Sequence, residues 1–257
     1  MKNKIKECYE QGICSVGTMS HLKSTAAVEA IGAAGLDYIF IDSEHASNTA
    51  DQLTDQIIAA NAAGITPIVR VCSISRDEIL HALDAGACGI VIPGIENIEQ
   101  ARQCVSYAKY TPVGKRGYCM TRIGNWGYGE EYAGGMEGYM KEANASTLLF
   151  LQCETVECLE DLENIADLEG VDGIMLGPYD LSIDMGIPGE FDDPRIRNAV
   201  QKVLDICRNK GKISMVFSGS AENAKKMKAA GFDSVIAGLD ILQLITGYQQ
   251  IVSDMRS

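Results

Sequence analysis

The sequence predicts an α/β fold of the (β/α)8 TIM-barrel type, in a single domain over residues 1–257. Three observations predict it. Eight short apolar, β-branched runs occur along the chain. Segments with helical periodicity separate them, which is the pattern of βα units on a parallel sheet. Four similar phrases, "AAGLDY", "AAGITP", "DAGACG" and "AAGFDS", recur where a helix should hand over to the next strand. Glycine closes helices there by taking the left-handed conformation, so the repeat reads as the αβ turns at the bottom of a barrel.

The expected strands are ICSVGT (13–18), YIFID (38–42), PIVRV (67–71), GIVIP (89–93), LLFLQCE (148–154), GIMLG (173–177), ISMVFS (213–218) and SVIAGLD (234–240). Their near-continuous apolar character is that of strands covered on both faces. Helices are expected over 26–34, 51–63, 76–85, 98–110, 156–166, 194–210, 221–230 and 241–255, with a further short one opening at "GPYDLS". One connection breaks the rhythm. Residues 111–147 hold eight glycines, five aromatics and the only Trp. The stretch is too long for an ordinary loop, and reads either as a surface excursion or oligomer contact, or as an active-site lid.

The composition supports a sizeable core, with 46% hydrophobic residues, and a formal charge of −13 argues against nucleic acid or an anionic membrane as partner. Nine cysteines lie scattered without C-x-x-C spacing, which suits reduced thiols in the cytoplasm. The N-terminal stretch is charged, and no 18-residue apolar run occurs. Neither secretion nor membrane insertion is expected.

Chemistry-bearing residues gather at the strand ends. "IFIDSEHAS" (39–47) ends an apolar run in Asp42, Ser43, Glu44 and His45. In a TIM barrel the C-terminal strand ends converge on one basin, so Arg70 from "PIVRV", Gln152 and Glu154 from "LQCE", and Asp180 and Asp184 from "GPYDLSIDMG" should meet them there. Each has a structural reading. Glu44 and Asp184 suit helix capping or solvation. Arg70, directly after Ile68 and Val69, needs an anion, either a substrate or a neighbouring carboxylate. Glu154, close behind the apolar run of its strand, has the same need with opposite sign, and a Mg²⁺ or Mn²⁺ ion, which favours one or two carboxylates with waters and substrate oxygens, would meet it. Of three histidines, His81 falls within a helix and reads as surface or packing, and His21 follows the first strand, a position from which it could line the basin, with no role assigned to it. His45 has Asp42 three residues before it, so the aspartate is expected to hold one ring nitrogen while the other faces the basin as an acid/base. The amides at "GPYDLS" are expected to bind a carboxylate or a phosphate.

In "DYIFIDSEHA", "PIVRV", "LLFLQCET" and "EGVDGIMLGPYDLSIDMG", and more weakly in "KRGYCMTRIGNWGYG" and "SVIAGLDILQL", the chain resembles the HpcH/HpaI aldolase family. These are class II enzymes acting on 4-hydroxy-2-oxo acids and 2-keto-3-deoxy sugar acids. The order matters more than any one motif: Glu-His, an Arg 25 residues on, Gln-x-Glu-Thr, then Gly-Pro-x-Asp 26 residues after the glutamate. The resemblance spans about residues 13–245 and implies a phosphoenolpyruvate/pyruvate-type barrel that reversibly splits a 4-hydroxy-2-oxo acid into pyruvate and an aldehyde through a metal-stabilised enolate. It implies Glu154 and Asp180 as ligands of a divalent cation (Mg²⁺ or Mn²⁺, or else Co²⁺ or Zn²⁺), His45 paired to Asp42 as the acid/base, and Arg70 gripping the pyruvyl end. Gln152 would support the metal, and the backbone of Gly177, Pro178 and Tyr179 would receive the carboxylate. It also implies a homo-oligomer, a hexamer built from dimers or trimers, whose last helix exchanges between neighbours. The chain departs from the family in "VCSISRD" after Arg70, in "GTMSHLKS" and in "VFSGS", loops that contact the aldehyde half.

A lysine Schiff base is the competing chemistry, but of the thirteen lysines only Lys23 approaches a strand exit. The remaining alternatives are a citryl- or malyl-CoA-type lyase on the same barrel, and a non-catalytic barrel.

Overall fold

The structure, a computed structural model, describes residues 3–257; the first two residues of the charged N-terminal stretch lie outside them. Eight parallel strands form a closed barrel in chain order. They are β1 (Ser15–Ser20), β2 (Tyr38–Asp42), β3 (Thr66–Arg70), β4 (Gly89–Ile92), β5 (Leu148–Cys153), β6 (Gly173–Leu176), β7 (Ile213–Phe217) and β8 (Ser234–Leu239), which closes on β1. The helices are α1 (Lys4–Glu10), α2 (Thr25–Ala33), α3 (Ala50–Ala62), α4 (Arg76–Ala85), α5 (Ile98–Ala108), α6 (Gly135–Ser146), α7 (Val156–Asp167), α8 (Pro178–Asp184), α9 (Pro194–Lys210), α10 (Ala221–Ala230) and α11 (Asp240–Arg256). All eight expected strands form, and β1 runs two residues further than its sequence suggests. The glycines of the four repeated phrases, Gly35, Gly64, Gly86 and Gly231, all take positive φ where a helix ends. Side-chain caps start many of the helices, among them Thr49 with a full capping box on α3 and Thr155 on α7.

Strand alternation decides what faces the barrel interior. Tyr38 and Phe40, Ile68, Phe150, Met175, and Ile213 and Met215 belong to one interior cluster with Met19 and Ile236. The intervening residues, Ile39, Ile41, Val69, Leu149, Leu151, Ile174 and Val216, pack outward beneath the helices. Because successive side chains alternate, one step of two residues beyond each interior residue names what reaches the upper mouth: His21 after Met19, Asp42 after Phe40, Arg70 after Ile68, Gln152 after Phe150, and Phe217 after Met215. Gly17 keeps the interior open for an aromatic ring, since a Cβ there would stand 2.4 Å from the Tyr38 ring.

The lower mouth is plugged by α1. Ile5 enters the interior cluster. Lys4 N donates to Thr66 Oγ1 (2.9 Å), and Asn3 Nδ2 donates to the carbonyls of Cys88 (2.9 Å) and Ser146 (3.1 Å). The long connection lies at this same end. It folds into two short 3-10 turns and α6 around Tyr110, Tyr139 and Ala143, and Arg122 and Ile123 border, with Lys4, Thr66 and Cys88, a cavity of about 580 Å³ under the barrel. The lid reading of residues 111–147 is therefore corrected: a connection that enters β5 from below sits opposite the strand ends that its own chain would need it to cover.

α11 leaves the barrel. Asp240 is its one buried residue, while Leu244, Ile245, Tyr248 and Val252 lie together on an exposed face. Among the described residues no helix is long and apolar enough to cross a membrane.

Candidate active site

The strand ends of the upper mouth enclose a cavity of about 350 Å³. Polar groups line it, His21, Asp42, His45, Arg70, Gln152 and Asp180, together with apolar ones, Met19, Met175, Phe217 and Leu239. Tyr179 borders it as well, its ring edge-on to Phe191 with centroids 4.8 Å apart. A cavity of this size with few, convergent polar groups has the form of a small-ligand site.

Its firmest feature is the buried pair Asp42–Arg70. The β2–β3 register sets the two residues side by side. Arg70 Nε donates to Asp42 Oδ1 and Nη2 to Oδ2, both at 2.9 Å, and Arg70 is only 5% exposed. Glu44 supplies a second anion, with Oε2 2.9 Å from Nη1. That contact is an ion pair without hydrogen-bond alignment, because Glu44 Oε2 is buried and receives no donor. Burial opposes ionisation of Asp42, but the Arg70 hydrogen bonds and charge, with His21 and the Glu44 amide, outweigh it and hold its carboxyl below the usual value.

Asp42 does not hold the His45 ring. Its Oδ2 instead takes Nε2 of His21 at 2.8 Å. The His45 side chain is 60% exposed, and its Nε2 lies 3.7 Å from Glu44 Oε2, beyond hydrogen-bonding distance. The expected Asp42–His45 pairing is corrected for a geometric reason: spacing of three residues brings side chains together on a helix, whereas Asp42 ends a strand, and its carboxylate points inward to the residues beside it in the barrel. His21, which the sequence places after the first strand with no assigned role, does line the cavity: β1 runs on to Ser20, and the alternation Gly17, Met19, His21 turns it inward.

Glu154 sits just behind the wall formed by Gln152 and Gly177 and is 7% exposed. Its Oε1 accepts from Gly94 N (2.7 Å) and its Oε2 from Gln152 Nε2. Burial pushes the Glu154 carboxyl above its ordinary value; the Gly94 and Gln152 donors pull it down, and the charges of Glu44 and Asp180 push it up again. Three carboxylates, Glu44, Glu154 and Asp180, thus feel one another beside the buried Arg70 guanidinium. Gln152 must turn its amide nitrogen to Glu154, which leaves Oε1 as a buried acceptor with no partner. Gly177 lets these groups approach, since a Cβ there would stand 2.9 Å from Glu154 Cβ and 3.0 Å from its Oε2.

These observations fit a divalent cation: like charges crowded without full compensation, an orphaned acceptor oxygen, and a second lone pair on each Glu154 oxygen. Among the described residues no group of three or more His, Cys, Asp or Glu could hold an ion unaided.

The expected carboxylate cradle is smaller than the sequence suggests. Gly177 N donates to Cys153 O (3.0 Å) in the β5–β6 ladder, and Pro178 has no N–H. The amides of Tyr179 and Asp180 remain at the start of α8. Elsewhere, Asp184 Oδ2 accepts from Val156 N (2.7 Å) and secures the start of α7, His81 lies exposed on α4, and Lys23 Nζ donates to Ser47 O (2.8 Å) outside the cavity wall.

The family model described as HpcH/HpaI aldolase/citrate lyase matches residues 16–246. A 2-keto-3-deoxy-L-rhamnonate aldolase of Salmonella gallinarum is 32% identical over 244 residues, covering 94% of this chain and 89% of the relative. Among solved structures, an HpcH/HpaI aldolase/citrate lyase family protein from Burkholderia cenocepacia superposes with a TM-score of 0.91 at 29% identity, covering 100% of both chains. An HpcH/HpaI aldolase from Desulfitobacterium hafniense gives 0.90 at 29% identity, covering 98% of this chain and 96% of that one.

Proposed function

The chain belongs to the HpcH/HpaI aldolase/citrate lyase family, and from that premise we propose a carbon–carbon lyase of class II aldolase type that reversibly splits a 4-hydroxy-2-oxo acid into pyruvate and an aldehyde. The name of the Salmonella relative favours 2-keto-3-deoxy sugar acids, which carry the required 4-hydroxyl, as the substrate class. One observation carries this reading: Asp42, Arg70, Gln152 and Asp180, from separate strand ends, border a single cavity with Glu154 directly behind it.

Glu154 and Asp180 would hold a divalent cation, Mg²⁺ or Mn²⁺, and Gln152 orients Glu154. When bound, such an ion supplies Lewis acidity toward the 2-oxo group. Arg70 binds the pyruvyl end and adds fixed positive charge where the enolate develops; two of its five N–H groups are hydrogen-bonded to Asp42, and Nη1 is ion-paired with Glu44. The amides of Tyr179 and Asp180 receive the substrate carboxylate. The apolar side, with Met19, Phe217 and Leu239, takes the aldehyde portion and keeps water from it. Proton transfer at the 4-hydroxyl falls to an imidazole of the cavity, His45 or His21.

Residues 1–257 form one catalytic domain in this reading, and the exposed apolar face of α11 packs on a second copy, giving a homo-oligomer of hexamer size. Nine free cysteines suit the cytoplasm. Pyruvate release from a panel of 4-hydroxy-2-oxo acids, 2-keto-3-deoxy sugar acids included, coupled to lactate dehydrogenase, tests the activity. Release that stops with chelator and returns with Mn²⁺ or Mg²⁺ supports it; no release from any member sinks it.

A further inference from the structure

His45 borders the cavity, yet no side chain holds its ring: Nε2 lies 3.7 Å from Glu44 Oε2, beyond hydrogen-bonding distance. Where the ring stands is therefore set by the main chain that carries it, the turn over residues 43–48 between β2 and α3. Asp42 Oδ1 accepts from the main-chain N of Glu44 (3.0 Å) and of His45 (3.5 Å). Asn48 closes the turn. Its Nδ2 donates to the carbonyls of Asp42 (2.7 Å) and Ala46 (3.4 Å), and its Oδ1 accepts from Gln56 Nε2 (2.9 Å). Gln56 is only 1% exposed, buried on α3 with Ile57, Ala59 and Ala60. Its Nε2 also donates to Gln52 O (3.1 Å), and its Oε1 accepts from Ser20 Oγ (3.1 Å) at the end of β1.

Burying an amide side chain costs stability unless its N–H and C=O groups are partnered, and here every N–H and each oxygen of both amides is. The network also has one arrangement. Turned end for end, the Gln56 amide would set its oxygen against Asn48 Oδ1 and Gln52 O, and the Asn48 amide would set its oxygen against the carbonyls of Asp42 and Ala46. Neither residue lines the cavity. We propose that Gln56 and Asn48 are positioning residues for carbon–carbon bond cleavage: Gln56 holds Asn48, Asn48 holds the turn, and the turn places the His45 imidazole at the cavity. The proposal rests on the aldolase reading above, with His45 as the imidazole that moves the proton. Through Ser20, which precedes His21, the same Gln56 ties the end of β1 to this turn, so two parts of the cavity wall keep one spacing. The groups proposed for substrate and cation are fixed from elsewhere, Arg70 by Asp42 and Glu154 by Gly94 and Gln152. Loss of the network should therefore fall on the chemical step and spare binding.

The test uses the full chain with Mn²⁺ and compares Gln56→Met, Asn48→Ala, His45→Gln, and His45→Gln combined with Gln56→Met. Gln56→Met keeps the length of the side chain and removes its hydrogen bonds. Single-turnover cleavage, KM, Mn²⁺ affinity and amide hydrogen exchange over residues 43–48 are measured in each. Gln56→Met and Asn48→Ala should each slow cleavage about 10–10²-fold, the effect of a small misplacement of a reacting group, with KM and Mn²⁺ affinity within about threefold of wild type. Exchange over residues 43–48 should rise in both. In the His45→Gln background, Gln56→Met should slow the residual cleavage by less than about twofold, because changes that act through one group do not add. A merely structural role would slow it equally in both backgrounds. Should Gln56→Met fail to fold, Asn48→Ala, at the half-buried end of the network, carries the same comparison. Unchanged cleavage or unchanged exchange in these variants, an equal effect with and without His45, or a loss confined to KM or Mn²⁺ affinity would each overturn the assignment. A wild-type protein that cleaves no member of the panel would instead overturn the aldolase reading beneath it.

Discussion

Arg70 and Asp42 are register partners on adjacent strands, and the guanidinium of one holds both carboxylate oxygens of the other at 2.9 Å in the floor of the cavity. The pair is structural and chemical at once, because the same carboxylate fixes the His21 ring. Asp42→Asn should therefore cost about 3–5 kcal/mol of stability, the range for breaking a buried ion pair, in addition to its loss of turnover. Urea unfolding checks the first and the pyruvate assay the second.

The same pair sets an acid limit. Asp42 is held below its ordinary value of 3.8, so its contribution is present above that value and is lost as pH falls through the lower folded-state value. Wild type should lose more stability than Asp42→Asn as pH is taken from about 5 toward 2. Parallel melting curves for the two proteins across that range would contradict the ion-pair account.

Cation binding provides an independent measurement. Glu154→Gln should abolish Mn²⁺ binding in a calorimetric titration, while Gln152→Ala, which removes only the group that orients Glu154, should weaken it by about 10–100-fold. Equal affinities in wild type and Gln152→Ala would separate that side chain from the metal site.

Gly177→Ala tests how tightly the walls approach. The added methyl would stand 2.9 Å from Glu154 Cβ and 3.1 Å from Gln152 Nε2. Overpacking of this kind costs about 1–3 kcal/mol, and here it displaces the two side chains proposed to serve the cation. A lowered melting temperature together with weakened Mn²⁺ binding is the expected pair of results.

The oligomer proposed above is tested on α11: Ile245→Asp or Tyr248→Asp should reduce it to smaller species in light scattering, since a charge would then have to be buried unpaired in an apolar contact. An unchanged mass would show that this face covers nothing in solution.

Most of the barrel was legible in the sequence because strand runs and helix periodicities repeat at regular spacing, and each helix–strand handover carries its own punctuation, as at Gly86 and Gly231. α1 and α6 were not legible: "KIKECYE" is short and polar, and the stripe of Tyr139 and Ala143 is interrupted by Gly134, Gly135 and Gly138. At the site, local patterns identified the residue types gathered at the strand ends, but not their partners. Asp42 chooses Arg70 and His21 through barrel register, and the Gly177 amide is taken by Cys153 on the neighbouring strand. Both choices are made across the sheet, between residues remote in sequence, where spacing along the chain carries no signal.

Asp240 stands where the barrel ends and α11 begins, and it is the residue that grips the main chain of His21 and Leu22. A helix whose outer face seeks a neighbour thus has its root in the loop bearing an imidazole. In the oligomer proposed above, contacts between copies would share this root with the cavity wall, so catalytic rate per protomer should decline on dilution before the barrel itself loses order.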